Sequence, residues 1–134
     1  MMNYTREIIG YITVFEKVTR SKVKDCFLNE NYLYFVVQPF MLKKAIGHKG
    51  QNVRKLANIF NKPIKIIEFN PNPVRFIRNL LYPIKTEVVK EDNIIKIISS
   101  DTKEKGKIYG RERSNFKKIK EIFSKYFSED IEIV

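Results

Sequence analysis

Ala45-Ile46-Gly47-His48-Lys49-Gly50-Gln51-Asn52-Val53 puts two glycines, a histidine and a lysine into one short stretch. The spacing Gly-x-x-Gly suits an anion. The first glycine permits a tight turn in which φ is positive. The second carries no side chain, so a phosphodiester can approach the backbone. Amides that open a following helix point outward and favour negative charge. His48 and Lys49 add charge or hydrogen bonds to phosphate, and Lys43, Lys44, Arg54 and Lys55 lie within seven residues of the loop. Ile46 and Val53 flank it and are candidates for an apolar floor under nucleobases; plain helix packing is the equal alternative. The candidate contact set is Lys43, Lys44, Ile46, Gly47, His48, Lys49, Gly50, Gln51, Asn52, Val53 and Arg54.

Other chemistries find no support in the residues. His48 has no nucleophile with an evident orienting partner, so no catalytic set is expected. Cys26 is the only cysteine and His48 the only histidine, which excludes an internal disulfide and a thiolate–imidazole zinc site. No Gly-x-x-x-x-Gly-Lys nucleotide loop is present, and no metal or cofactor is expected. The 134 residues carry 26 Lys+Arg against 15 Asp+Glu, a net charge of +11. Such an excess on a chain that is 43% hydrophobic describes a folded basic domain with a polyanionic partner, not a disordered tail. Residues 1–70 hold 12 basic and 5 acidic side chains, and residues 71–134 hold 14 and 10. The excess therefore leans toward the half with the glycine loop. No apolar run approaches the ~18 residues of a spanning helix. The N-terminus lacks a signal-peptide core, so no membrane association and a cytoplasmic setting are expected.

Positioning such a loop requires a helix on each side, and the pattern supplies them. Ile8, Ile9, Ile12, Phe15 and Val18 make a helical stripe over 5–18, capped by Asn3 or Thr5. Val23–Leu28 and Tyr32–Val37 flank Asn29-Glu30-Asn31 as a hairpin. Pro39 suits the first turn of a helix that runs from about Phe40 to Ile46. Val53, Leu56, Ala57 and Phe60 share one face of the next helix, and Ile64–Phe69 is a strand. Tyr32, Tyr34 and Phe35 fall on the hairpin and read as packing.

Asn70-Pro71-Asn72-Pro73 punctuates the chain, and the same order then recurs. Val74–Leu81 is a helix; Ile84–Val89 and Ile94–Ile98 form a hairpin. Asp101 caps a helix that ends at Tyr109, and Ser114 caps another carrying Phe116, Ile119, Phe123 and Tyr126. Ile131–Val134 is a strand. At an offset of 63, Gly47 meets Gly110, Asn52 meets Asn115, Val53 meets Phe116, Leu56 meets Ile119 and Phe60 meets Phe123. The last strands align at 67, which implies a longer final helix in the second copy. The expected fold is α+β: two tandem copies of one α-β-β-α-α-β unit, at 1–70 and 71–134, packed as a rigid pair. A Gly-x-x-Gly loop between helices, clamping about four nucleotides with bases against an apolar groove, is the KH mode of single-strand recognition.

On these motifs the chain resembles the archaeal NusA-like transcription termination/antitermination factors, a compact pair of type II KH domains. The likeness covers Ile12-x-x-Phe15-Glu16-Lys17-Val18-Thr19, Val23-Lys24-Asp25-Cys26, Phe35-Val36-Val37, Ile46-Gly47-x-Lys49-Gly50-x-Asn52-Val53 and Phe76-Ile77-Arg78-Asn79-Leu80-Leu81-x-Pro83. It implies single-stranded RNA binding in transcription elongation, termination or antitermination; for a protein partner the alternatives are RNA polymerase and ribosome components. The runner-up is a ribosome-associated or ribosome-assembly protein that uses the same loop on ribosomal RNA. At this length the chain is expected to lack the N-terminal polymerase-binding domain and small RNA-binding barrel of bacterial NusA. The second loop departs from the pattern: it reads Gly110-Arg111-Glu112-Arg113. Arg113 in place of glycine crowds a backbone path, and Glu112 repels phosphate. Gly110, Arg111, Arg113 and Lys117 are therefore a secondary set, weakened but still helping by charge.

Overall fold

The computed structural model describes residues 5–134; Asn3, one of the two expected caps, lies outside them. The chain divides into two compact units, Met1–Phe69 and Asn70–Val134. Each runs helix, strand, strand, helix, helix, strand around a three-stranded sheet. This α+β arrangement is compatible with two KH-like units.

In the first unit α1 (Arg6–Thr19) opens at Thr5, whose hydroxyl accepts the Ile8 N–H at 3.1 Å. Strands β1 (Val23–Asn29) and β2 (Tyr32–Val37) pair antiparallel across a turn at Glu30-Asn31. Strand β3 (Ile64–Glu68) lies parallel to β2, with Leu33 opposite Ile64. The strand alternation sends Leu33, Phe35 and Val37 into a core with Phe15, Cys26, Ala45 and Leu56. Phe15 stacks on Phe35 at 4.1 Å between ring centroids. Helix α2 (Leu42–Ile46) starts later than Pro39 leads one to expect. Phe40 adopts φ +67°, and the Met41 N–H bonds back to the Gln38 carbonyl. Pro39 therefore sits in a turn, not in the helix. Helix α3 (Gln51–Phe60) buries Leu56 and ends at Asn61 in the left-handed region.

In the second unit Asn72 caps α4 (Pro73–Leu81), accepting from the Val74 and Arg75 amides, with Pro73 as the first helical residue. Strands β4 (Glu87–Glu91) and β5 (Ile94–Ile98) are antiparallel, and β6 (Asp130–Ile133) runs parallel to β5. The first of these begins at Glu87 instead of Ile84, because the Ile84 N–H closes a turn onto the Leu81 carbonyl at 2.9 Å. Helix α5 (Thr102–Tyr109) is capped by Asp101, as its sequence predicts. Helix α6 (Ser114–Ser124) is capped by Arg113, not by Ser114, which is its first residue. Phe76, Ile95, Ile97, Ile108, Ile119, Ile122 and Phe123 are buried.

Ile131 pairs with Ile95 as Ile64 pairs with Leu33, so the offset of 67 is real. Helix α6 has 11 residues against 10 in α3. Most of the added length lies in the turns after it, where Tyr126 and Phe127 bond back to Phe123 and place their rings around Phe76. Tyr34 and Phe35 are buried as expected, whereas Tyr32 is exposed. Phe116 is half-buried against Tyr109 and does not join the buried set.

Candidate nucleic-acid interface

Gly47 ends α2 with φ +79° and ψ 172°, a combination essentially confined to glycine. A Cβ there would come within 2.9 Å of the Asn52 side chain and 3.1 Å of its amide nitrogen. The next residues close a single 3-10 turn, with the Gly50 N–H on the Gly47 carbonyl at 3.2 Å. Lys49 (φ +52°) and Gly50 (φ +73°) are both left-handed. Gly50 is then the cap of α3, and no side chain satisfies the first amides of that helix. The Gln51 N–H bonds the His48 carbonyl, and the positive end of the helix lies at the loop.

Two side chains hold the loop. The Asn52 Nδ2 donates to the Lys44 carbonyl at 3.2 Å, tying the start of α3 to the end of α2. The Arg54 guanidinium donates to the Lys49 carbonyl at 2.5 Å. Sequence placed both residues among the nucleic-acid contacts; the structure gives each a bracing role. Lys43, Lys44, His48, Lys49 and Gln51 are exposed on or beside the loop, and Ile46 and Val53 are half-buried where they flank it. Ion pairs in the second unit include Lys90–Glu129 at 3.1 Å and Lys96–Glu91 at 2.7 Å. Among the described residues no carboxylate pairs with Lys43, Lys44 or Lys49, so the first loop keeps its positive field.

The second loop has the same backbone. Gly110 has φ +73° and ψ 175°, Glu112 φ +55° and ψ 32°, and Arg113 φ +60° and ψ 18°. The matching angles in the first loop are +79° and 172°, +52° and 32°, and +73° and 18°. Asn115 repeats the brace, with Nδ2 on the Ile108 carbonyl at 2.9 Å. Arg113 thus occupies a left-handed position that costs an ordinary residue roughly 1 kcal/mol. Its guanidinium carbon lies 5.0 Å from the Tyr109 ring centroid. Arg111 and Lys117 are exposed. The offset of 63 maps Asn115 and Tyr109, which line the second loop, onto Asn52 and Ile46.

Among the described residues no group of three or more His, Cys, Asp or Glu could hold a metal ion. None of the described helices is long and apolar enough to cross a membrane. Cys26 is buried, and burial, then the neighbouring Asp25 charge, pushes its thiol up to about 12. It is held as a neutral packing group.

No family model matches the chain. Several archaeal proteins named probable transcription termination protein NusA do match. That of Methanocaldococcus jannaschii is 29% identical over 126 residues, covering 91% of this chain and 69% of its own length. That of Thermoplasma acidophilum is 25% identical, covering 91% and 88%. A third, from Methanococcus vannielii, is 36% identical over 83 residues, covering 62% and 48%. Among solved structures, the crystal structure of APE1850 is 27% identical with a TM-score of 0.78, covering 97% of this chain and 99% of that one. The likeness to the archaeal NusA-like factors, read above from the motifs, therefore holds along 91% of the chain.

Proposed function

We propose that this chain is a non-catalytic single-stranded RNA-binding protein that acts in the cytoplasm in transcription elongation, termination or antitermination. In this reading it is two type II KH domains, 1–70 and 71–134. The observation that carries it is the first loop: a Gly-x-x-Gly turn at the start of a helix, flanked by exposed lysines that pair with no carboxylate among the described residues, and braced by Asn52 and Arg54. Phosphate sits at Gly47–Gly50 and the start of α3, with charge from Lys43, Lys44 and Lys49 and a hydrogen bond from His48. The names of the relatives supply the process, termination. The second loop contributes through Gly110, Arg111, Arg113 and Lys117.

The test is RNA affinity of the wild type against the Gly47→Asp, Gly50→Asp pair and against Gly50→Asp alone. The single variant matters because a Cβ at Gly50 meets only the end of Arg54, at 3.4 Å, so its cost is the left-handed backbone, roughly 1 kcal/mol and less for aspartate than for most residues. A loss of about tenfold or more in both is expected, and equal binding by all three proteins overturns the site. Salt titration is expected to give a log–log slope of about −0.7 per neutralised phosphate. RNA crosslinked in cells separates nascent transcripts from ribosomal RNA, and hence a transcription factor from a ribosome-bound protein.

A further inference from the structure

The two loops share a backbone but not a floor. Tyr109 stands where the first unit has Ile46, Phe116 where it has Val53, and Arg113 where it has Gly50. The Tyr109 and Phe116 rings meet edge to face, 5.4 Å between centroids and 77° between planes. Arg113 covers Tyr109 at 5.0 Å, and the Lys120 ammonium lies 5.3 Å from the Phe116 centroid. A cation, two rings and a second cation thus form one row beside the loop. Ile108, Ile119, Ile122 and Phe123, from the same two helices, are buried at 3% exposure or less. Tyr109 and Phe116 stay half-buried, so part of each ring faces solvent.

We propose that the second unit holds a nucleobase by stacking on the Tyr109–Phe116 pair. This rests on the RNA-binding reading above. The base takes the face of Tyr109 that Arg113 now covers, and the displaced guanidinium moves to the adjoining phosphate. An aliphatic floor such as Ile46 and Val53 offers only dispersion contact to a base. A ring offers a π face, which every base matches, so the preference it creates is for bases over bare backbone, not for one sequence. The guanidinium stacks or pairs with phosphate equally well. Arg113 therefore serves the closed and the occupied site in turn, which accounts for an arginine kept at a left-handed position.

The test replaces the second floor with the first: Tyr109→Ile with Phe116→Val, side chains that the sister unit carries at the same places. Binding is measured by anisotropy, at one salt concentration, to a short single-stranded oligoadenylate and to an abasic ribose-phosphate oligomer of equal length. The pair is expected to lose about fivefold or more on the oligoadenylate and nothing on the abasic chain. Equal loss on both, or loss on neither, overturns the proposal. If the pair melts out, Phe116→Leu alone is read the same way, with at least a twofold loss confined to the base-bearing chain as the expected result. Gly50→Asp is run beside it. Failure of Gly50→Asp to weaken either probe, with the base-selective loss intact, removes the first-loop reading and leaves the stacking site. Failure of the wild type to bind either probe removes both.

Discussion

The two glycine loops of this protein have backbones that agree to within about 15° at every positive-φ position, yet only the first glycine is common to them. The fourth position is glycine in one and arginine in the other. What sets the shape is therefore the turn at Gly47 or Gly110 and the asparagine that ties the next helix back onto the preceding one. The fourth residue decides what can approach that shape. In the first unit the approach is bare and positive; in the second it is lined by rings and cations.

The largest expected difference is at the first glycine. Alanine at Gly110 meets the Asn115 Cβ at 2.6 Å and its backbone nitrogen at 2.9 Å, neither of which can swing aside. At Gly47 the nearest atoms are the outer end of the Asn52 side chain, both at 2.9 Å, which can rotate away at the cost of one hydrogen bond. Adding the glycine-only backbone angles, Gly110→Ala should destabilise by on the order of 3 kcal/mol and Gly47→Ala by about 2 kcal/mol. Urea unfolding measures both, and a larger loss at Gly47 would break the ranking.

Cys26 marks the first unit chemically, since the second has no thiol. Its folded pKa is raised to about 12, above the value near 8.5 of an exposed thiol. The unfolded chain therefore loses its proton first. The stabilisation from keeping the thiol neutral is complete below about pH 8.5 and is lost as pH rises toward 12. Between pH 8 and pH 10 the wild type should lose about 2 kcal/mol relative to Cys26→Ala, read from denaturant midpoints at each pH. A constant difference across that range would remove the assignment.

The braces should differ by less. Asn115→Ala removes a 2.9 Å bond from a half-buried side chain, Asn52→Ala a longer one of 3.2 Å. A loss of about 1 kcal/mol is expected at Asn115 and somewhat less at Asn52, checked by thermal melts. Smallest of all is the exchange of the fourth residues. Gly50→Arg has room and should cost roughly 1 kcal/mol or less for its left-handed backbone, while RNA affinity falls. Arg113→Gly should change stability little, because relief of strain is offset by the lost contact with Tyr109. A Gly50→Arg protein that unfolds would show that the second loop survives for reasons outside its backbone.

Much of this was legible in the sequence, and the exceptions share a cause. Thr5, Asn72 and Asp101 were read as caps or boundary signals because capping is chemistry of adjacent residues. The hairpin at Val23–Val37 and the recurrence at 63 were read from patterns that local spacing carries. What spacing does not carry is the direction of a side chain from a left-handed residue. Pro39 pointed to a helix start, but the turn at Phe40 delays it to Leu42. Ser114 has the right chemistry for a cap, yet the left-handed Arg113 takes that place. Arg113 itself read as an obstacle, since the sequence does not say that its guanidinium lies over Tyr109. Asn52 and Arg54 stand in the contact set by their place beside the loop, and their bracing bonds are an addition to it. Their partners, the Lys44 and Lys49 carbonyls, are backbone atoms that no residue name announces.

The asparagine brace also bears on how such a protein changes over generations. Because loop shape is stored in a glycine and an asparagine outside the variable positions, His48-Lys49 and Arg111-Glu112 can stand in the same frame. A duplicated unit can then drift in charge and reach one substitution at a time, each intermediate still folded. Two copies that began with one task can come to divide it without either losing its architecture on the way.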